Sequence, residues 1–399
     1  MHRTSDSKYH SQRRFKEVSI VFTILATMII NSILGCGEAE DSIENNALSQ
    51  DTLVVSVQNT IGASVGDSNY VFGEILTVRE RNTGGILILD RIRMQLFEYD
   101  SNGSYIRSIS REGSGPGELL NPTDFDIDSS GNLLVLDMMR GMMLKLTSDG
   151  EYISTMSSYN SLPPLKFELS SDTSYIPLLA EEDISEGGVL SIRTVLAGIQ
   201  FGSEEHIEYW ENTSQLDLTA IENLYYNTIL SVAYDVDSQG NVYYAPSATD
   251  YFRFVSCDPS AETRFEVSYD VNPILKTNEE LSEEQAFIKC LASWFGGRIE
   301  HDFDPPPYRT SIVDIDIDCN DRIWVRNGLT TEPTFEVYSN SGDYLTTVSI
   351  QVPVECSHLI WEFEINKTIL GFPVNPSDFH RLYLFGGVDI LNQTAGLGP

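Results

Sequence analysis

An all-β fold, a six-bladed β-propeller with four-stranded antiparallel blades, is predicted by three observations. A strand–turn–strand unit recurs along the chain, a second unit follows it at a set distance, and the resulting period suits one blade. The first unit is clearest at Asp126–Asp137 (DIDSSGNLLVLD) and returns at Asp235–Tyr244 (DVDSQGNVYY) and Asp316–Val325 (DIDCNDRIWV). Each has alternating residues on either side of a turn rich in Asp, Asn and Gly, the pattern of a hairpin. The third copy places Asp321 where the others have Gly131 and Gly240, and a looser copy ends in Gly84–Asp90 (GGILILD). The second unit occupies Phe97–Gly103, Leu144–Gly150 and Val337–Gly342, and Gly103 and Gly150 are 47 residues apart. Two hairpins in that period make a blade.

Gly240 and Asp321 are 81 residues apart, which leaves room for an insertion. Ser282-Glu283-Glu284-Gln285 reads as a capping box that opens a short helix around 282–296, ended by Gly296-Gly297. Phe287, Cys290, Leu291 and Trp294 share one face of it, which predicts packing on the propeller rim. The segment Leu53–Gln58 is expected to supply a strand that closes the ring with the C-terminal blade.

The chain divides into three parts. Arg3, Lys8, Arg13, Arg14 and Lys16 precede an apolar run from Val18 to Leu34 and then Gly35-Cys36, the layout of a signal peptide over residues 1–35. Ile33-Leu34-Gly35-Cys36 resembles the lipobox of bacterial lipoproteins, which implies lipid attachment at Cys36; an uncleaved anchor is the alternative. Residues 36–51 are polar, acidic and aperiodic and read as a flexible tether. Residues 52–399 form the propeller domain. The expected location is the cell envelope, outside the cytoplasm. Gly37-Glu38 after Cys36 lack the Asp that in enteric lipoproteins signals inner-membrane retention, which favours the outer membrane where there is one.

The 399 residues carry 25 Lys plus Arg against 59 Asp plus Glu, a net charge of -34. Removal of residues 1–35 deletes five basic and two acidic side chains and leaves the body more acidic still. A nucleic-acid partner would need a basic footprint and is excluded. So acidic a surface is repelled by anionic headgroups, so the acyl chains are the expected membrane contact. Once Cys36 is set aside, Cys257, Cys290, Cys319 and Cys356 are an even number in an oxidising compartment, which predicts two disulfides with three connectivities open.

Ser114-Gly115-Pro116-Gly117-Glu118-Leu119, leading into the Asp126 unit, resembles the loop that opens the blades of NHL-type six-bladed propellers of bacterial lipoproteins. The likeness is strongest over residues 74–156 and weakest over 163–225 and 355–395. The expected function is that of a monomeric binding or scaffolding module whose protein or small-molecule ligand meets the loop face. Arg91, Arg93, Arg111 and Arg140 fall in the loops and connector of one predicted rim. They read either as an anion-binding spot or as arginines neutralised by Asp90, Glu112 and Asp137.

No cofactor is expected. Asp126, Asp128, Ser130, Gly131 and Asp137 match the spacing of a calcium loop, but the β-rich flank favours a hairpin turn, so calcium or another divalent metal is the lesser reading. His301, Asp302 and Asp304, before Pro305-Pro306-Pro307, are the one short cluster with metal-ligand chemistry; a solvated connector is the alternative. No His-Glu-x-x-His or Gly-x-Ser-x-Gly motif is present. The rival function is a metal-dependent enzyme similar to propeller lactonases or amidating lyases, with its site in the central channel. Asp126, Asp235 and Asp316 recur there, and recurrence at equivalent places is also what blade structure would give. An envelope assembly factor is a third class.

Replacement of Cys36 by Ala is expected to move the expressed protein from the membrane fraction to the soluble extracytoplasmic fraction. Fractionation followed by immunoblotting checks this, and undiminished membrane association would contradict the lipid anchor.

Overall fold

Six sheets follow one another along the chain. The computed structural model describes residues 52–157, 164–184, 190–203, 205–217, 219–376 and 379–391. The expected signal peptide, Cys36 and the tether lie outside the described residues. β1 (Thr52–Ser56) and β2 (Asn59–Ile61) come first. Blade 1 consists of β3 (Ile75–Glu80), β4 (Ile86–Asp90), β5 (Gln95–Tyr99) and β6 (Tyr105–Ser108). Blade 2 consists of β7 (Pro122–Ile127), β8 (Leu133–Asp137), β9 (Met142–Leu146) and β10 (Tyr152–Ser157). Blade 3 has longer strands, β11 (Lys166–Ser171), β12 (Ser174–Ile184), β13 (Leu190–Gln200) and β14 (His206–Gln215).

A short helix, α1 (Glu222–Asn227), leads into blade 4, which is β15 (Val232–Val236), β16 (Val242–Pro246), β17 (Tyr251–Cys257) and β18 (Thr263–Asp270). Helix α2 (Asn278–Trp294) is inserted before blade 5. That blade is β19 (Ile312–Ile317), β20 (Ile323–Asn327), β21 (Thr334–Tyr338) and β22 (Tyr344–Gln351). Blade 6 has β23 (Trp361–Ile365), β24 (Thr368–Pro373) and β25 (Leu382–Gly387), and β2 completes it by pairing antiparallel with β25.

The closing strand falls later than the sequence suggests. Within the expected segment Leu53–Gln58, β1 runs parallel to β22, Thr52 opposite Thr347 and Ser56 opposite Gln351, and so adds a fifth strand to blade 5. Only from Gln58, whose N–H donates to the Leu384 carbonyl (2.8 Å), does the chain turn to blade 6. The reason is packing: Val55 lies in the apolar layer between blades 5 and 6, and the fully buried Ile61 in the layer between blades 6 and 1.

Each blade interface has such a layer. Ile88 and Phe97 meet Leu370 and Phe372 between blades 6 and 1; Leu87 and Leu89 meet Phe125 and Val135 between blades 1 and 2. A strand buried on both faces needs an unbroken apolar run, and β4 (ILILD) and β8 (LLVLD) are buried at every position.

The recurring Asp of the first hairpin closes its turn. Asp128 Oδ1 accepts the N–H groups of Ser130 and Asn132, Asp237 Oδ1 those of Gln239 and Asn241, and Asp318 Oδ1 those of Asn320 and Arg322. Lys145 Nζ lies 2.8 Å from Asp128 Oδ2. Of the residues in the calcium-like spacing, Asp128 thus serves the turn, while Asp137 accepts the N–H groups of Leu120 and Asn121 ahead of β7. Gly131 and Gly240 take φ of 83° and 81° there, and Asp321 adopts the same left-handed conformation at 56°.

Helix α2 begins earlier than 282. Thr277 Oγ1 accepts the Glu280 N–H (3.2 Å) and Glu280 Oε2 accepts the Thr277 N–H (2.7 Å), so the capping box is Thr277-x-x-Glu280 and Ser282 lies inside the helix. The expected stop holds: Gly296 has φ 75° and the Gly297 N–H donates to the Ala292 carbonyl. The expectation of two disulfides is overturned, since Cys257, Cys290, Cys319 and Cys356 are all outside any disulfide. They are dispersed over β17, α2, the β19–β20 turn and the segment after β22, and the Cys290 thiol faces Glu74 Oε1 at 3.4 Å.

Ile61→Ala is expected to lower the unfolding free energy by about 2–4 kcal/mol, because it opens a cavity at the ring closure. Val54→Ala, at a position 52% exposed, should change it by less than about 0.5 kcal/mol. Urea titration of both variants checks the pair.

Candidate ligand-binding channel

The first strand of every blade lines the central channel, and alternation along each strand sends every second side chain into it. Nearer the strand ends these are Arg79, Asp126, Glu168, Asp235, Asp316 and Glu364, one per blade. Two residues earlier on each strand stand Thr77, Asp124, Lys166, Ala233, Asp314 and Glu362. Arg326 of β20 joins the second layer. The cavity they line has a volume of about 1010 Å³, within the size that takes a small molecule.

An innermost strand is the edge of its sheet, and its N–H groups need partners from elsewhere. Neighbouring blades supply them. Asp126 accepts the Leu169 N–H (2.7 Å), Asp124 the Phe167 N–H (3.0 Å), Asp235 the Ile317 N–H (2.6 Å) and Asp316 the Ile365 N–H (3.3 Å). The recurrent Asp side chains thus tie blade 2 to 3, 4 to 5 and 5 to 6. Blade 1 uses the opposite charge: Arg79 Nη1 donates to Glu364 of blade 6 (2.7 Å), and Nη2 reaches Glu168 of blade 3 (2.9 Å). Asp124 and Asp126 lie 3.9 Å from the same guanidinium.

Eight carboxylates therefore share the channel with Arg79, Lys166 and Arg326. Burial disfavours their ionised forms and raises them. Asp124 is pushed up to about 6, Glu168 and Glu362 to about 7 and Glu364 to about 8, while Asp235 and Asp316 stand well above the carboxylate range. Burial works against the Arg79 charge, but Glu168, Glu364, Asp124 and Asp126 outweigh it and hold the guanidinium charged. Arg326, also buried, is lowered.

Helix α2 roofs the mouth at which the inner strands begin. Trp294 Nε1 donates to Glu74, just ahead of β3 (2.6 Å), and Asn121, just ahead of β7, donates to the Trp294 carbonyl (3.1 Å). On the α1 side, the Tyr226 hydroxyl donates to Glu284 (2.9 Å). Phe287, Ile288, Leu291 and Ala292 form an apolar cluster with Tyr225, Ile299, Phe303 and Val374, so the roof has a small core of its own.

The arginines of the predicted rim are each engaged locally. Arg91 pairs with Glu74. Arg93 donates to the Ser68 carbonyl (2.7 Å) and lies over the Phe97 ring. Arg140 donates to the Gly113 and Glu118 carbonyls (both 2.9 Å), which fastens the Gly-rich loop, and Arg111, its side chain 79% exposed, pairs with Glu118. His301, Asp302 and Asp304 do not converge: His301 faces Glu222 (3.2 Å), Asp302 pairs with Lys289 (2.7 Å) and Asp304 is exposed. Among the described residues, no three His, Cys, Asp or Glu side chains are gathered closely enough to hold a metal ion.

Sequence reading placed Asp126, Asp235 and Asp316 near the channel and missed Arg79, Asp124, Lys166, Glu168, Asp314, Arg326, Glu362 and Glu364. The signal available was charge alternating with apolar residues in KFELSS (166–171) and WEFEI (361–365).

A family model described as a 6-bladed beta-propeller matches residues 66–183, which hold blades 1 and 2 and the opening of blade 3. No curated protein matches the chain. A crystal structure of a member of the DUF4221 family from Bacteroides vulgatus is 11% identical, covering 84% of this chain and 98% of that chain, with a TM-score of 0.50. A protein from Bacteroides fragilis is 13% identical over 83% of this chain and 98% of its own, TM-score 0.42. A streptogramin B lyase is 10% identical over 82% and 97%, TM-score 0.44. At 11% identity the likeness to the DUF4221-family structure is one of fold alone. With its six sheets, the chain is an all-β six-bladed propeller.

The raised carboxylates link stability to pH. The folded protein keeps protons that the unfolded chain releases near pH 4.5, so their stabilisation is present below that pH and is lost as pH rises towards about 8. His380, lowered by burial, runs the other way and loses its contribution as pH falls through its range. Urea midpoints are expected to fall between about pH 5 and about pH 8, and Glu364→Gln to flatten that fall. An unaltered profile in the variant would contradict the placement of Glu364.

Proposed function

We propose that this protein is a lipid-anchored binding module of the cell envelope and that its central channel is the binding site for a small polar molecule. The observation that carries the reading is the channel itself: about 1010 Å³ of space, walled by eight carboxylates and three cations and roofed by an inserted helix. A cavity of that size, with a few charged groups converging on it, is of the kind that takes a small ligand. The Cys36 anchor and the acidic tether would hold this ring at the outer face of a membrane, with the loop face free to meet a protein partner.

A second reading is favoured by one feature. Glu168 and Glu362, raised to about 7, are poised as proton donor and acceptor near neutral pH, which would suit acid–base chemistry on a molecule held in the same channel. Anion binding at Arg91, Arg93, Arg111 and Arg140 would require these side chains to leave their present partners.

Ala233 is the smallest side chain of its layer, and Ala233→Trp should plug the channel. Small molecules released on denaturation of protein purified from its own cells, and identified by mass spectrometry, are expected to be lost in the plugged variant. Identical release from both would overturn the channel reading, and recovery of a chemically altered form of an added compound would favour the enzyme.

A further inference from the structure

We propose that the Asp235–Asp316 side of the channel seats the ammonium group of an organic amine. The inference rests on the channel's being the binding site and names the chemistry of its ligand. The layer formed by Arg79, Asp126, Glu168, Asp235, Asp316 and Glu364 sets five carboxylates against one guanidinium, and that guanidinium is committed to the other side of the ring, on Glu168 and Glu364. Asp235 has backbone N–H donors on both oxygens, from Val236 (2.7 Å) and Ile317 (2.6 Å). Asp316 does not. Its Oδ1 accepts from Ile365, while Oδ2 is buried with no hydrogen-bond partner, in a residue only 8% exposed that lines the cavity. A buried acceptor left unpaired is costly, and a donor that reaches it removes that cost.

The protein's own cations make their direct contacts elsewhere, although Arg326 is close enough to Asp316 to feel its charge. Lys166 Nζ sits over the Tyr234 ring at 4.4 Å, and Arg326 donates to the Trp361 carbonyl (2.6 Å) and faces the Phe363 ring. Ala233, two residues ahead of Asp235 on the same strand, leaves the approach to this side unobstructed by a long side chain. A net charge of -34 draws cations towards the molecule. A divalent metal suits the place poorly: its coordination needs several convergent oxygens, and no three candidate ligands gather among the described residues. An ammonium is satisfied by one or two carboxylates and tolerates apolar walls around its stem, and its positive charge takes the place of the proton that burial holds on Asp235 and Asp316.

The test is calorimetric titration of the purified full chain in detergent with 1,4-diaminobutane, and with 1,4-butanediol, succinate and magnesium chloride at matched ionic strength. Diaminobutane alone is expected to bind. Asp316→Asn and Asp235→Asn should each weaken it by at least about tenfold, and Asp270→Asn, on the exposed outer strand β18, should leave it unchanged. Diaminobutane should also raise the thermal midpoint of the unaltered protein where butanediol does not, a readout that needs no variant. Equal binding by the three variants, absence of any effect of diaminobutane on the unaltered protein, or tighter binding of magnesium at the same carboxylates would overturn the amine. If Ala233→Trp still abolished release of another class of molecule, the channel reading would stand without it; if that variant released what the unaltered protein releases, both would fall.

Discussion

A blade with two apolar faces cannot be stable by itself, and the rest of this structure follows from that constraint. Each sheet must be covered on both sides by its neighbours, so the blades must form a closed ring, and the first and last must meet. The meeting is made by β2, which brings a strand from the start of the domain to the outer edge of blade 6. Ile61 then completes an apolar layer equivalent to those between the other blades. Closure also gathers six strand edges around one axis, and the channel exists because those edges cannot approach further.

The chemistry of the channel grows out of the same geometry. Edge N–H groups call for acceptors, and short carboxylates on the adjacent blade meet them at Asp126, Asp235 and Asp316. Backbone satisfaction therefore concentrates negative charge where solvent is scarce, and the ring must hold protons, recruit Arg79, or accept a cation from outside. Structural and binding roles need not be alternatives: backbone satisfaction creates the conditions that the proposed binding would use.

Much of this was legible in the residues, and the gaps have physical causes. The turns at Asp128, Asp237 and Asp318 announced themselves because an Asp that closes a turn needs Gly, Asn or Asp at set positions after it. Blades 3 and 6 were faint because β12 and β13 are long and their hairpins lack that chemistry. Glu168 and Glu364 were hidden for that reason, although their strands carry the alternation that points them inward. The early start of α2 was missed because Thr277-x-x-Glu280 and Ser282-x-x-Gln285 are both capping sequences. The disulfide expectation failed because an even cysteine count says nothing about proximity. Arg91 and Arg140 lie in the loops after β4 and β8, but scarcity of positive charge in a chain does not free the few arginines it has from their neighbours.

The parallel strand β1 has a mechanical consequence. It precedes β2 in the chain, so a pull entering from the N-terminus meets the five register pairs of β1 with β22 before it meets the three that clasp the ring. Under such a pull the fifth strand of blade 5 yields first, peeling away at the periphery while the clasp and the apolar layer behind Ile61 stay shut.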